Sequence, residues 1–189
     1  MAEYRIRTAE RRDVDRILEI TGKYTFEPTG GYSSRGTLKP LERTDVEPVV
    51  DRRRFWVAYL TDGNDVVGCA SLVQRDSTAE LRSLVVEEPY RGNGIGSQLV
   101  NCVIREAYNI SNEIQNRIEL WARNPEIFVR AGFVPIIEGK RVHAGERPEK
   151  YAVDEKILAD CSNCILRGDM CPETLLVYQM PRELHRIYL

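Results

Sequence analysis

The stretch Arg91-Gly92-Asn93-Gly94-Ile95-Gly96-Ser97 places three glycines in five positions. Before it runs a β-forming triplet, Leu84-Val85-Val86, and after it Leu99, Val100, Val103, Ile104 and Ala107 recur at helical spacing. Glycine gives up more backbone freedom on folding than any other residue, so three this close together need a reason. A strand that passes through a glycine turn into a helix brings several backbone N–H groups and the positive end of the helix dipole to one point. That point attracts an anion. With no side chains at Gly92, Gly94 and Gly96, a group as large as a diphosphate can lie directly on the main chain.

Two phosphate loops fail against this text. The nucleotide-hydrolase loop needs Gly-Lys-Ser/Thr after its glycines, whereas Gly96 is followed by Ser97-Gln98. The dinucleotide fingerprint G-x-G-x-x-G/A, begun at Gly92, needs Gly or Ala where Ser97 stands, and a parallel strand-helix-strand start where hairpins are expected.

A second cluster with chemical potential lies near the end of the chain. Cys161 and Cys164 form a C-x2-C pair, and after six intervening residues stands Cys171. Such a pair has the spacing for zinc chelation, but three thiols leave a tetrahedral site one ligand short. Asp160, His143, His185, Cys102 or a partner's residue would have to close it, and an iron–sulfur cluster would also ask for a fourth thiolate. A reducible disulfide and plain thiols are the alternatives. Cys69 and Cys102 read as small core residues. Lys140, Arg141, Arg147 and Lys150 make a basic segment that suits a solvated loop or an acidic ligand.

The elements that must position these residues follow from hydrophobic period. Tyr4 to Arg7 reads as a strand, and Val14, Ile17, Leu18 and Ile20 as one face of a helix. Residues 22 to 40 mix Gly22, Gly30, Gly31, Gly36, Pro28 and Pro40 with hydroxyl and aromatic residues, a loop composition on the substrate side. The next segment reads as a helix broken or kinked by Pro48, ending in a solvated edge of Arg52, Arg53 and Arg54. FWVAYL and VVGCASLVQ flank Asp62-Gly63 as a hairpin, and AELRSLVV (79–86) adds a third antiparallel strand. Alternation points Glu80 and Arg82 to the same face, where they suit an ion pair. RIELWA, NPEIFVRAG and FVPII then read as strand, short helix and strand, and TLLVYQM near the end as one more strand.

Composition narrows the function classes. Hydrophobic residues make up 42% and charged residues 30%, with 27 Lys plus Arg against 29 Asp plus Glu and a net charge of -2, which excludes a disordered chain and a polybasic nucleic-acid binder. No run approaches the roughly 18 apolar residues of a membrane span, and the charged N-terminus does not read as a secretory signal. A cytoplasmic location is expected. Five cysteines, three of them in the last 29 residues, do not form a disulfide framework.

In its strand-to-helix context, Arg91-Gly92-Asn93-Gly94-Ile95-Gly96 matches every fixed position of the Arg/Gln-x-x-Gly-x-Gly/Ala loop. The chain here resembles the GNAT family of acyl-CoA-dependent N-acetyltransferases over roughly residues 3 to 136 in element order. GTLKPLERTDVEPVVDRRRFWVA, AELRSLVVEEPYRGNGIG and the late KILADCSNC further resemble the short N-acetylglutamate synthase type, although Pro40-Leu41 stands where those relatives carry Pro-Arg.

The resemblance implies an α/β (α+β) fold with a mixed, mostly antiparallel twisted sheet flanked by helices, a core at 1–137 and a cysteine-bearing C-terminal extension at 138–189. It implies acetyl-CoA as cosubstrate and a small-molecule amine, glutamate-like, as acceptor; a protein N-terminus or lysine, or acyl-CoA sensing without much catalysis, are the alternatives. Nucleic acid and membrane are not expected as partners, and a homodimer is allowed. The coenzyme would lie on Leu84, Val85, Val86, Arg91, Gly92, Asn93, Gly94, Ile95, Gly96, Ser97, Asn124 and Phe128, with an N–H at a bulge near Val86 donating to the thioester oxygen. Glu80 would take the proton of the amine. Phe128 stands where many members carry the Tyr that protonates the leaving sulfur, so water or another group would supply that proton. Cys161, Cys164 and Cys171 would be the ligands of any structural zinc.

Overall fold

The computed structural model describes residues 3–24, 41–75, 77–114, 116–122, 125–137 and 174–180. In chain order these form β1 (Tyr4–Thr8), α1 (Val14–Gly22), α2 (Arg43–Asp51), β2 (Phe55–Leu60), β3 (Val66–Arg75), β4 (Thr78–Val86), α3 (Ile95–Asn109), β5 (Arg117–Ala122), α4 (Glu126–Arg130), β6 (Val134–Ile137) and β7 (Thr174–Gln179). Seven strands make one sheet in the order β1-β2-β3-β4-β5-β7-β6. Every neighbouring pair is antiparallel except β4 and β5, which run parallel. The sheet is therefore mixed and mostly antiparallel, with β7 inserted between β5 and β6 although it lies far along the chain.

Each face of the sheet has its own core. On one face α3 buries Ile95, Leu99, Val100, Val103 and Ala107 against Ala79 and Leu81 of β4 and Ile118, Leu120 and Ala122 of β5. Each fully buried Val, Leu or Ile contributes about 1.5–3 kcal/mol, so this helix is fixed by packing more than by its ends. On the other face α1 and α2 place Val14, Ile17, Ile20, Val46, Val49 and Val50 over Phe55, Val57, Cys69 and Val85. Alternation along β5 sends Arg117, Glu119 and Trp121 to that second face.

Two local readings change. Pro48 lies inside α2 without ending it, at the loss of one intrahelical N–H donor. Arg54 is not part of a solvated edge: its side chain is only 16% exposed and lies 3.8 Å from Glu106, with a hydrogen bond of 2.8 Å to Gln74. Arg53 takes a left-handed backbone, φ 59°, which turns the chain from α2 into β2 and separates Arg54 from its exposed neighbours.

Candidate functional site

The glycine loop leads from the end of β4 to the first turn of α3. Gly92 (φ 79°) and Gly94 (φ 81°) are left-handed, a conformation that residues with a Cβ adopt at a cost of roughly 1–2 kcal/mol. Gly94 is the residue before the first turn of α3 and supplies no side-chain cap. The backbone N–H groups from Gly92 to Ser97 find no acceptor among the described residues, and Gly92, Asn93, Gly94 and Ser97 are exposed. A cluster of free N–H groups at the start of a 15-residue helix has the donors and the dipole end that an anion would meet.

The three glycines differ in purpose. A Cβ at Gly92 would meet nothing within 4 Å, so its place is open to a ligand. At Gly96 the Cβ would fall 2.8 Å from Cδ1 of Ile127 in α4, so a side chain here would also have to displace that isoleucine. Ile95 likewise turns its side chain into the core, 2% exposed, and offers only its N–H to the loop.

The loop is held by contacts that sequence reasoning did not single out. The Tyr4 hydroxyl donates to the Asn93 carbonyl at 3.0 Å and accepts from Gln98 Nε2 at 2.8 Å, which ties β1 to both sides of Gly94. Asn93 Nδ2 donates back to the Tyr90 carbonyl at 3.1 Å. Arg91 donates from Nε to the Val86 carbonyl at 2.9 Å, with its guanidinium over the Tyr24 ring at 4.9 Å. Glu87 receives Arg16 and Lys23 of the α1 region, each at 2.6 Å. The one signal available was the phenol of Tyr4 at the start of an otherwise apolar-and-charged strand.

β4 opens beside this loop. Its parallel pairing with β5 covers Ala79 with Ile118 and Glu80 with Glu119, and does not continue toward Val86. On its other edge Cys69 pairs with Val85 and Ser71 with Arg82, so Ser83 and Leu84 together oppose Ala70. That is a β-bulge, with Ser83 at φ 54°. The bulge thus lies at Ser83–Leu84 and not near Val86, which pairs regularly with Gly68. Cys69 fixes it: the thiol donates to the Ser83 carbonyl at 3.3 Å, and burial pushes its pKa up to about 12, so the proton stays on sulfur. Leu84 and Val86 pack toward α3, whereas Val85 belongs to the core under α1 and α2.

Glu80 stands where the parallel pairing ends. Its carboxylate takes Arg75 Nε at 2.8 Å and lies 3.7 Å from Arg82 Nε. Beside it Glu119 is fully buried and ion-paired with Arg117 at 2.6 Å. Phe128 is 6% exposed and meets Phe133 edge-to-face, ring centroids 5.9 Å apart, as a core aromatic. Asn124 and the cysteines Cys161, Cys164 and Cys171 lie outside the described residues. Among the described residues no group of three or more His, Cys, Asp or Glu side chains could hold a metal. No described helix is long and apolar enough to cross a membrane.

The arrangement has counterparts in known proteins. The sequence model of the Acetyltransferase (GNAT) family matches residues 17–131. An uncharacterized N-acetyltransferase of Chlorobaculum tepidum is 30% identical over 174 residues, 91% of this chain and 94% of that protein. Among solved structures, Rv2747 of Mycobacterium tuberculosis in complex with CoA matches with a TM-score of 0.68 at 23% identity, covering 94% of this chain and 99% of that one. N-acetylglutamate synthase of Neisseria gonorrhoeae, complexed with coenzyme A and N-acetyl-glutamate, matches with a TM-score of 0.65 at 20% identity over 96% of this chain, which spans 36% of that longer protein. At these identities the two structures support the fold.

Proposed function

The chain belongs to the GNAT family of acetyltransferases, and on that premise we propose that it transfers acetyl from acetyl-CoA to the α-amino group of a small, glutamate-like amino acid. The observation that carries the reading is the row of unpartnered N–H groups from Gly92 to Ser97 beside the open edge of β4. The first would hold the diphosphate of the coenzyme. The second offers main-chain groups to its pantetheine arm, which would lie along Leu84 to Val86 as an added strand does.

The bulge sets the reacting end. A backbone N–H at the Ser83–Leu84 bulge would hold the thioester oxygen as charge develops on it, an interaction whose loss typically costs about 10²–10³ in rate. The amine nitrogen bonds to the thioester carbonyl carbon, the C–S bond breaks, and the leaving thiolate takes a proton. Glu80 accepts the proton that the amine loses; its anion is oriented by Arg75. Phe128 has no exchangeable proton, so that of the thiolate comes from water or another group. The amino-acid acceptor draws support from the likeness to N-acetylglutamate synthase.

Thiol release from acetyl-CoA, measured across amino acids, polyamines and peptides, tests this. Amino-acid-dependent release is expected, and Glu80→Gln should lower kcat near neutral pH while leaving coenzyme affinity unchanged. Release with peptides alone would replace the acceptor, and coenzyme binding with no amine-dependent release would make the chain a sensor.

A further inference from the structure

Beyond Glu80, past the last paired positions of β4 and β5, stand two donors that the steps above leave unused. We propose that Arg82 and Trp121 form a subsite for the α-carboxylate of the acceptor; the inference rests on the acetyl-transfer reading and makes the acceptor an amino acid by recognition.

Register places the pair. Glu80 and Glu119 are abreast on the parallel strands, so two residues further along each strand Arg82 and Trp121 stand level, past the last paired positions. Alternation sets both on the face away from α3, the face of Glu80. Arg82 immediately precedes the bulge at Ser83, where the thioester is held in the reading above.

Both groups are short of acceptors. Glu80 is engaged more closely by Arg75, at 2.8 Å, and leaves Arg82 a contact of 3.7 Å. The Arg82 side chain keeps 26% of its surface exposed, so its guanidinium can meet a ligand. Trp121 Nε1 is buried and finds no hydrogen-bond partner among the described residues. A buried donor left without an acceptor destabilises a fold, which does not carry one idly. A guanidinium and an indole N–H can only donate, so the matching ligand group can only accept and is anionic: a carboxylate. With Glu80 next to Arg82, the two strands present an acceptor for an amine beside two donors for a carboxylate. That pairing is complementary to an α-amino acid, and an amine without the carboxylate would leave Arg82 and Trp121 unmatched.

Calorimetric titration of L-glutamate, L-aspartate, L-glutamine and glycine into the CoA-bound protein reads the subsite directly, each beside the amine that lacks its α-carboxylate. At least one amino acid should bind, and its decarboxylated counterpart roughly 10- to 100-fold more weakly, the scale of losing hydrogen bonds to a charged group. Arg82→Met and Trp121→Phe should each remove most of that preference, Arg82→Lys should retain part of it, and coenzyme affinity should not change in any of them. No binding by any of the four amino acids, equal binding with and without the carboxylate, or an unchanged preference in both variants overturns the subsite. Thiol release run in parallel separates the two readings: a carboxylate preference that Arg82→Met abolishes, with no turnover by the wild type, keeps the subsite and removes acetyl transfer.

Discussion

Replacing Gly96 by alanine puts a methyl carbon 2.8 Å from Cδ1 of Ile127 and 3.8 Å from Cγ2 of Val86. Non-bonded carbons settle at about 3.5–4.0 Å, so the Ile127 side chain must turn or α4 must move off α3. Overpacking of this kind costs about 1–3 kcal/mol. Against it, alanine gains up to about 1 kcal/mol over glycine in a helix interior, and less in a first turn. Gly96→Ala should therefore destabilise by roughly 0.5–2.5 kcal/mol. Ile127→Val deletes the clashing Cδ1 and on its own should cost about 0.5 kcal/mol, the low end for such a change because Ile127 is only partly buried. Added to Ile127→Val, the alanine should be neutral or stabilising, so the two changes should couple by about 1–3 kcal/mol.

Urea denaturation of the wild type, both single variants and the double variant measures that coupling, and a CoA titration of the same four proteins shows whether the loop follows. Coenzyme affinity should fall in Gly96→Ala and return in the double variant. Additive stabilities, or binding that stays weak in the double variant, would mean that Gly96 is glycine because of the ligand and not because of Ile127.

Tyr4→Phe deletes a hydroxyl that both donates to Asn93 and accepts from Gln98; KM for acetyl-CoA should rise about 2- to 10-fold, the range of one to two neutral hydrogen bonds, with kcat unchanged in steady-state assays. Asp13 is 5% exposed and accepts from Arg7 at 2.6 and 2.9 Å and from the Glu10 N–H at 2.8 Å. Burial pushes its carboxyl up, but those three donors more than offset burial and hold it below the ordinary carboxylate value. A depressed value makes the contribution of Asp13 to stability full above about pH 4, the unfolded value, and lost as pH falls through the folded one. Asp13→Asn should cost about 1.5–3 kcal/mol at pH 7 and flatten the acid limb of stability against pH, as read by denaturation at pH 7 and pH 3; an acid limb as steep as in the wild type would refute it.

The fold was legible wherever one period ran unbroken. The helix of α3 and the strands of β2, β3 and β5 follow directly from apolar spacing, and the glycine loop announces itself by composition. What the spacing could not show was which partner each special residue answers to. Gly92 and Gly96 look alike in the sequence, yet one faces open space and the other an isoleucine methyl from α4, 31 positions further on. Tyr4 is 89 positions from the carbonyl that it holds. Arg54 follows two exposed arginines and is indistinguishable from them until the left-handed turn at Arg53 and the carboxylate of Glu106 are in place. Such contacts depend on sheet order, and sheet order is what a single sequence shows least.

The bulge was partly written in the sequence, and it decides how the site is divided. In an uninterrupted strand Glu80, Arg82, Leu84 and Val86 would all share one face, since side chains alternate with a period of two. The apolar step from Leu81 to Leu84 is three residues and breaks that period, which marks one residue too many between them. Ser83 is that residue. It lets Leu84 and Val86 turn to α3 beside the glycine loop while Glu80 and Arg82 keep to the opposite face. Deleting Ser83 would remove the extra residue: Leu84 would then follow Arg82 directly and keep to the α3 face, so both sets of side chains would stay where they are and only the irregular backbone of the bulge would be lost. On the acetyl-transfer reading, the bulge thus supplies an irregular main chain beside the coenzyme arm, with Leu84 and Val86 on the α3 face and the charged pair on the other.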